Sequence, residues 1–393
     1  MNGKKMLVDL SYISQKFIEE SENDTLSACE PQDFSKQEAT ISMKRRPKKT
    51  VFLLVAIILI ATLTGAVTYT RWSRTAQNRY TPPQDVKEQA KKSGLSVMLE
   101  ETYKAENTGE ILSATDQGIT ITAVQSLIDN YKAEITFRID GFELPEDAEP
   151  FVWPTVTIDG DTFFYSSQTG SFFDGTTINE DGKRVYVSTG EPVKYRNDEY
   201  QSTILEYVAE DGSLEYTHYI SFLETDGRYM GKEIVFSFHS IDLQSEEKAG
   251  ESTPQTEGNW ELRWTLTGTG DSITIQPNAK IGDSNVVLLE AEIGQKTIRA
   301  RYQVDDYWEG WDQLVPLPQA VCGVRMKDGS THICAERSSG FEDEANKLYF
   351  TELEIYDAIL DISQVEALLC HKGWEADESG KLTVQTFYEI PIA

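Results

Sequence analysis

The stretch GITITAVQSLIDNYKAEITFRIDG, residues 118–141, decides the fold class of this chain. Apolar and polar residues alternate on both sides of Asp129 and Asn130, and these two residues favour a tight turn. Alternation with a period of two is typical of β-strands that bury one face. The sequence therefore predicts an antiparallel hairpin, whose inner face is formed by Ile119, Ile121, Ala123, Ala133, Ile135, Phe137 and Ile139.

Further short strands follow this hairpin along the chain. A first series comprises VWPTVTI, RVYVST, STILEYVA, THYISFL, EIVFSFHSI and the strand of Trp260, Leu262, Trp264 and Leu266, with a polar loop at 244–258. A second series comprises SITIQPN, NVVLLEAEI, TIRARYQV, VCGVRM, THICAE, KLYFTELEI and KLTVQTFYEIPI, while ISQVEALLC fits a short helix or a strand. Gly-Asp turns between short strands are typical of antiparallel sandwiches and barrels.

The two series are similar in pattern. The segment SNVVLLEAEIGQKTIRARYQVDD, residues 284–306, repeats the order of strand, polar turn and second strand found at 118–141. We predict a mainly β fold with two tandem antiparallel β-sandwich domains, at 110–270 and 271–393, preceded by a stalk at 71–109.

A membrane span is predicted at Val51–Thr70, VFLLVAIILIATLTGAVTYT, which contains no charged residue. Twenty helical residues extend roughly 30 Å, the thickness of the hydrocarbon core of a bilayer. Aromatic rings favour the membrane interface, and Tyr69 and Trp72 lie at the end of this run. Basic flanking residues favour the cytoplasmic side. Five precede the span (Lys44, Arg45, Arg46, Lys48, Lys49) and three follow it (Arg71, Arg74, Arg79), so we expect the N-terminus inside and the C-terminal domains outside the cell membrane.

Charge is distributed unevenly along the chain. Residues 71–393 carry 27 Lys and Arg against 57 Asp and Glu, a net charge of −30, against −29 for the whole chain. A field of this sign repels nucleic acid, so we expect no nucleic-acid partner.

The cytoplasmic segment, residues 1–50, combines an amphipathic helix with a polar, basic linker. Leu7, Leu10, Ile13 and Phe17 recur at helical spacing and share one face of a helix at 5–21. An apolar stripe with nothing nearby to cover it suggests a partner groove or the membrane surface. We therefore take these four residues as a candidate partner-binding face.

Few residues suggest catalysis or a cofactor. The four histidines are scattered without ligand spacing, and neither a phosphate-binding loop nor a G-x-S-x-G elbow is present. We expect no enzyme, no cofactor and no metal site. The one concentrated polar and aromatic cluster is a weak candidate for binding calcium or a sugar, with a structural role as the alternative; it consists of Asp305, Asp306, Trp308, Glu309, Trp311 and Asp312.

The cysteines leave one alternative open. Cys322 and Cys334 flank a predicted hairpin around Asp328 and Gly329, so a disulfide between them is one alternative, and Cys370 would then stay free.

The segment LSYISQKFIEES, residues 10–21, resembles the short helix that opens a family of single-pass membrane proteins of Gram-positive bacteria. The residues that carry this match are Ile13, Phe17, Ile18, Glu19 and Glu20. The match continues through the basic linker, the membrane span, residues 116–141, GNWELRWTL and ILDISQVEALL. The resemblance implies a membrane-bound anti-sigma factor whose extracytoplasmic domain, of unknown function, is followed by an immunoglobulin-like module.

Two functions follow from these observations. In the first, the chain is a membrane regulator or envelope sensor, whose inner helix binds an extracytoplasmic-function sigma factor or another regulator. In the second, it is a surface-anchored module that binds a cell-wall polymer, a glycan or a protein and has no inner partner. We favour the first because of the exposed apolar stripe and the family layout.

Overall fold

A computed structural model describes residues 72–106, 111–145, 148–179, 181–194, 204–244, 252–268, 270–304, 320–356, 358–376 and 382–392. The chain divides into two compact units, Met1–Ser73 and Arg74–Ala393, and the architecture below is that of the second. The predicted span at 51–70 and the predicted helix at 5–21 lie outside the described residues. Within the described ranges, no helix has the length and apolar character needed to cross a bilayer.

The fold is mainly β, and every described strand pairing is antiparallel, as the sequence predicts. Three helices come first: α1 (Arg74–Tyr80), α2 (Gln84–Ser93) and α3 (Leu99–Glu106). The first module consists of β1 (Ser96–Val97), β2 (Ser113–Asp116), β3 (Ile119–Ile128), β4 (Lys132–Asp140), β5 (Pro150–Phe151), β6 (Thr155–Ile158), β7 (Tyr165–Phe172), β8 (Thr176–Ile178), β9 (Arg184–Tyr186), β10 (Leu214–Phe222), β11 (Glu233–Gln244) and β12 (Ser252–Thr265). The second module consists of β13 (Ser272–Ile275), β14 (Ala279–Lys280), β15 (Val287–Gly294), β16 (Thr297–Gln303), β17 (Val321–Met326), β18 (Thr331–Ile333), β19 (Ala335–Asp343), β20 (Leu348–Glu354), β21 (Val365–Ala376) and β22 (Leu382–Pro391).

Each module contains a larger and a smaller sheet that share one apolar core. In the first module the larger sheet runs β1-β3-β4-β10-β7, with β2 also on β3, and the smaller runs β12-β11-β5, with β6 also on β11. Phe137 of the larger sheet packs against Phe236 and Phe238 of the smaller, with ring centroids 4.9 and 5.2 Å apart. The predicted inward residues of β3 and β4 are all buried, so the hairpin prediction is confirmed.

The second module repeats the strand order of the first. Its larger sheet runs β13-β15-β16-β20-β19, with β14 also on β15, and its smaller sheet runs β18-β17-β21-β22. The hairpin β15–β16 therefore occupies the position of β3–β4, and the edge strand β19 occupies that of β7. One difference is that β18 pairs with β17, whereas β6 pairs with β11. The short hairpin β8–β9 lies between β7 and β10, where the second module has only a turn.

The three helices fall in the segment 71–109, which the sequence analysis predicts to be a stalk. Helix α2 ends at Ser93, because Gly94 adopts a left-handed conformation (φ 81°) and its N–H donates to the carbonyl of Lys91. The helices and the turn after α2 bury apolar side chains, namely Ala76, Tyr80, Ala90, Leu95 and Leu99.

Several element assignments from the sequence need correction. The predicted loop at 244–258 is wrong for Ser252 to Gly258, because β12 already pairs with β11 there. The predicted strand STILEYVA is also wrong, because its described residues, 204–209, belong to no strand. ISQVEALLC, which the sequence leaves open as helix or strand, is a 3₁₀ turn at Ile362–Gln364 followed by β21.

Candidate functional site at the junction of the two modules

The turns of the two equivalent hairpins bind each other. The Thr297 hydroxyl, on the second hairpin, donates to Asp129 Oδ2 on the first at 2.8 Å. Tyr131, in the first turn, donates its hydroxyl proton to Glu292. Asp129 Oδ1 also accepts the backbone N–H groups of Tyr131 and Lys132, both at 2.8 Å. Asp129 thus fixes the conformation of its own turn and binds the other hairpin.

Two buried ion pairs cross the junction in opposite directions. Lys132 Nζ of the first module lies 2.5 Å from Glu354 Oε2 of the second. Lys296 of the second module binds Glu134 of the first. All four side chains are buried. We call these four residues, together with Asp129, Thr297, Arg79 and Tyr80, the junction.

Helix α1 ends inside the junction. The Tyr80 hydroxyl donates to Glu134 Oε1 at 2.6 Å. The Arg79 guanidinium lies 3.8 Å from Glu134 Oε1 and 3.7 Å from Glu354 Oε1, so one side chain contacts a carboxylate of each module. It also lies over the rings of Tyr219 and Tyr356, 5.2 Å from each centroid. These contacts tie the end of α1 to both modules at once.

The other end of α1 is attached to the first module. Glu215 of β10 accepts the backbone N–H groups of Arg74 at 2.9 Å and Thr75 at 2.6 Å, and also the Thr75 hydroxyl. A carboxylate is favourable there because the first amides of a helix lack partners within it. Asn78, in the middle of the helix, donates to the carbonyl of Thr176 at 3.1 Å. Helix α1 is therefore anchored along its whole length.

The connection between the modules passes close to this site. The Gln295 carbonyl oxygen Oε1, in the second hairpin turn, accepts from Ser93 Oγ at 2.6 Å and from the N–H of Asp271 at 3.0 Å. Gly268 has φ +127°, and a Cβ there would lie 2.7 Å from the carbonyl oxygen of Gly94. Only glycine combines this conformation with so close an approach of two backbones. The connecting segment is thus held against the turn that follows α2.

The charges of the junction stabilise one another. Burial opposes ionisation of Glu354, but Lys132, Lys296 and Arg79 outweigh it and lower its pKa to about 2. Burial likewise opposes ionisation of Glu134, and Lys296 and Arg79 hold its pKa below the usual range. The pKa of Lys132 is lowered by burial, and burial also raises the pKa of Asp129.

This arrangement holds the two modules together. Glu134 and Glu354 are paired with cations, and Asp129 accepts hydrogen bonds from Tyr131, Lys132 and Thr297. Across the described ranges, no three His, Cys, Asp or Glu side chains are placed to hold a metal ion together. Separating the modules would take Lys132 from Glu354 and Lys296 from Glu134 together, so the junction favours either the fully docked state or a hydrated, open one.

The residues that the sequence singled out lie elsewhere. Leu7, Leu10, Ile13 and Phe17, and the cluster Asp305, Asp306, Trp308, Glu309, Trp311 and Asp312, fall outside the described residues. Cys322, on β17, and Cys334, between β18 and β19, are neighbours, since the Cys334 N–H donates to the Cys322 carbonyl at 2.8 Å. Among the described residues, Cys322, Cys334 and Cys370 form no disulfide.

Sequence reasoning missed the junction. Its partners are separated by 162 and 222 positions, so no local pattern places them together. One signal was present: the two segments similar in pattern, 118–141 and 284–306, each carry a lysine at the turn, Lys132 and Lys296. A buried role for these lysines shows only when the two turns are brought into contact.

Comparisons with known proteins give no family. No protein-family model matches the chain, and no curated protein matches it. Among solved structures, a conserved domain protein from Bacillus anthracis has a TM-score of 0.39 and 14% sequence identity, over 75% of this chain and 94% of that chain. At this level of similarity, neither the fold nor a function is transferred to this chain.

Proposed function

We propose that this chain is a single-pass membrane regulatory protein of the anti-sigma-factor or envelope-sensor type. The N-terminal segment lies in the cytoplasm and binds a regulator through Leu7, Leu10, Ile13 and Phe17. Residues 51–70 span the membrane as one helix. The two modules, each an immunoglobulin-like β-sandwich in this proposal, face the outside and respond to conditions at the envelope.

The observation that carries the proposal is the double contact of Arg79. Helix α1 begins four residues after the predicted span, so it is the first described element on the outer side. Arg79 lies within 4 Å of Glu134 and of Glu354, one from each module. A ligand or condition that separates the modules must therefore remove one of the contacts that hold α1. Loss of that contact would alter how α1, just outside the predicted span, is held.

The docked junction supports a two-state response. Its two lysine–glutamate pairs are buried, and separating the modules would break both of them at once. Transmission of a signal requires an element that has two discrete arrangements and does not deform continuously. In this proposal, the docked junction is one of those two arrangements.

The binding of a regulator by the predicted helix at 5–21 is tested with the full chain in its membrane. We would capture the tagged chain from cells and compare it with an Ile13→Glu/Phe17→Glu variant. The matched control is Tyr12→Glu/Gln15→Glu, which adds the same charge on the side of the helix opposite the apolar stripe. The expected result is that a transcriptional regulator co-purifies with the wild type and the control and is lost from the first variant.

The alternative function gives the opposite result. If the chain is a surface-anchored module without an inner partner, the same proteins co-purify with all three forms. Deleting residues 1–40 would then leave function intact. That outcome would reject the regulator and favour a cell-wall or glycan ligand.

A further inference from the structure

The edge strand β7 differs from the other long edge strands of the two modules. Its ladder is formed with β10 alone among the described strands, so the backbone groups on its other side have no described strand partner. An edge of this kind is a template for a further strand, and proteins usually block it with charged residues or proline. The four described edge strands with eight or more residues are β7, β12, β19 and β22.

Three of these four strands carry blocking residues, and β7 carries none. The sequence of β7 is YSSQTGSF, without a charge or a proline. The comparable residues elsewhere are Pro254, Glu257, Glu261 and Arg263 in β12, Glu336, Arg337, Glu342 and Asp343 in β19, and Glu389 and Pro391 in β22. The contrast with β19 is the most informative, because β19 holds the same position in the second module.

The exposed side chains of β7 also suit strand pairing. Ser166, Ser167, Thr169 and Ser171 are exposed hydroxyl residues. Phe163 lies just before the strand and is 82% exposed, and Leu223, whose N–H donates to the carbonyl of Phe164, is 54% exposed. Small hydroxyl side chains with an apolar pair at one end cost less to desolvate than the charged side chains of the other edges.

We propose that β7 pairs with β7 of a second copy of this chain, as an antiparallel extension of the larger sheet of the first module. In an isologous contact the same patch of each copy meets its equivalent, so the patch must complement itself. A strand without charge meets its own copy without like-charge repulsion. The acidic net charge of the chain makes two copies repel over most of their surfaces. A strand without charge is the edge at which two such copies can approach without opposing like charges.

The register of the sheets supplies a matched control position. Thr169 pairs with Tyr219, which pairs with Glu134. In the second module Ser338 pairs with Glu352, which pairs with Arg299. Because Glu134 and Arg299 hold the same place in the two equivalent hairpins, Ser338 is the counterpart of Thr169.

Cysteine cross-linking of the full chain in native membranes tests the contact. In a Cys29→Ser background, Ser166→Cys, Ser167→Cys and Thr169→Cys are oxidised and compared with Ser338→Cys on non-reducing gels. The expected result is a disulfide-linked dimer from at least one β7 position and none from Ser338→Cys. If no β7 position cross-links above the level of Ser338→Cys, the proposal is wrong.

Charge substitution gives an independent measurement. In detergent-solubilised full chain followed by sedimentation, Thr169→Lys should weaken dimerisation by about fivefold or more, because each copy then brings a positive charge into the paired strands. Ser338→Lys should leave it unchanged. A wild type that is monomeric throughout, or a dimer that Thr169→Lys does not weaken, would overturn the proposal. If Thr169→Lys fails to fold, as judged by tryptophan fluorescence, the cross-linking decides.

Discussion

Lys132 and Glu354 lie 222 positions apart in sequence and form a buried ion pair, with 2.5 Å between Nζ and Oε2. Lys296 and Glu134 form a second pair in the reverse direction. Each module therefore contributes one lysine and one carboxylate, and separating the modules breaks both pairs. The first predictions concern these contacts.

Replacing Lys132 with methionine should destabilise the unit Arg74–Ala393 by roughly 1–3 kcal/mol, measured as the free energy of unfolding in urea. The loss is moderate because Glu354 keeps Arg79 and Arg337 as partners. The control is Arg228→Gln, which removes an exposed pair with Asp226 and should change stability by about 0.5 kcal/mol or less. Equal effects of the two substitutions would contradict a special role for the junction.

Acid should weaken the junction over a defined pH range. The pKa of Glu354 is about 2 in the folded chain, against an ordinary value of 4.5. A lowered folded pKa gives stability that is present above about pH 4.5 and is lost as the pH falls toward 2. Its contribution is roughly 3 kcal/mol. Urea unfolding between pH 6 and pH 2 should show this slope, and Glu354→Gln should flatten it.

Two other carboxyl groups modify that acid response. The pKa of Glu134 is also lowered, so Glu134 adds to the loss of stability in acid. Burial raises the pKa of Asp129, so its protonation favours the folded state and offsets part of the slope. An unfolding free energy that does not change across this range would show that the ion pairs contribute nothing to folding.

Removing the Arg79 side chain should loosen α1 and the two hairpin turns together. Arg79→Gln eliminates the contacts with Glu134 and Glu354, and we expect amide hydrogen exchange at Arg74–Tyr80 and Asp129–Lys132 to rise by about tenfold. Exchange in β11 should stay unchanged, because that strand makes no described contact with Arg79. Lys91→Gln, at an exposed position of α2, serves as the control. A rise in α1 alone would mean that the helix and the turns are not coupled.

Gly268→Ala should destabilise the fold more than the same substitution at a left-handed glycine that has open space around it. A Cβ at Gly268 meets the carbonyl oxygen of Gly94, so strain adds to the unfavourable φ, and we expect a loss of roughly 2–3 kcal/mol. At Gly212, where φ is +84° and a Cβ would meet no other atom within 4 Å, the loss should be about 1 kcal/mol. Thermal unfolding of both variants distinguishes them, and equal losses would contradict a tight linker.

The strands that the sequence predicts well are those that bury one face. In β3 and β4 the alternate residues are inside, so the period of two is visible. The sequence does not predict β7, or β19 beyond Glu336, because both strands lie at sheet edges and expose much of each face, which removes the alternation. Charged residues such as Lys132 and Glu134 are typical of a solvated strand face, and here they are buried against the second module and helix α1.

The two hairpin turns contact each other in the reciprocal manner of two subunits, yet they belong to one polypeptide. A linker of a few residues, including Gly268, keeps the two halves of the contact at an effective concentration of the order of millimolar or higher. Two separate molecules would need a higher intrinsic affinity to be associated to the same extent. Two covalently joined modules stay close to each other after they separate. An interface of costly buried charges can therefore open and re-form reversibly.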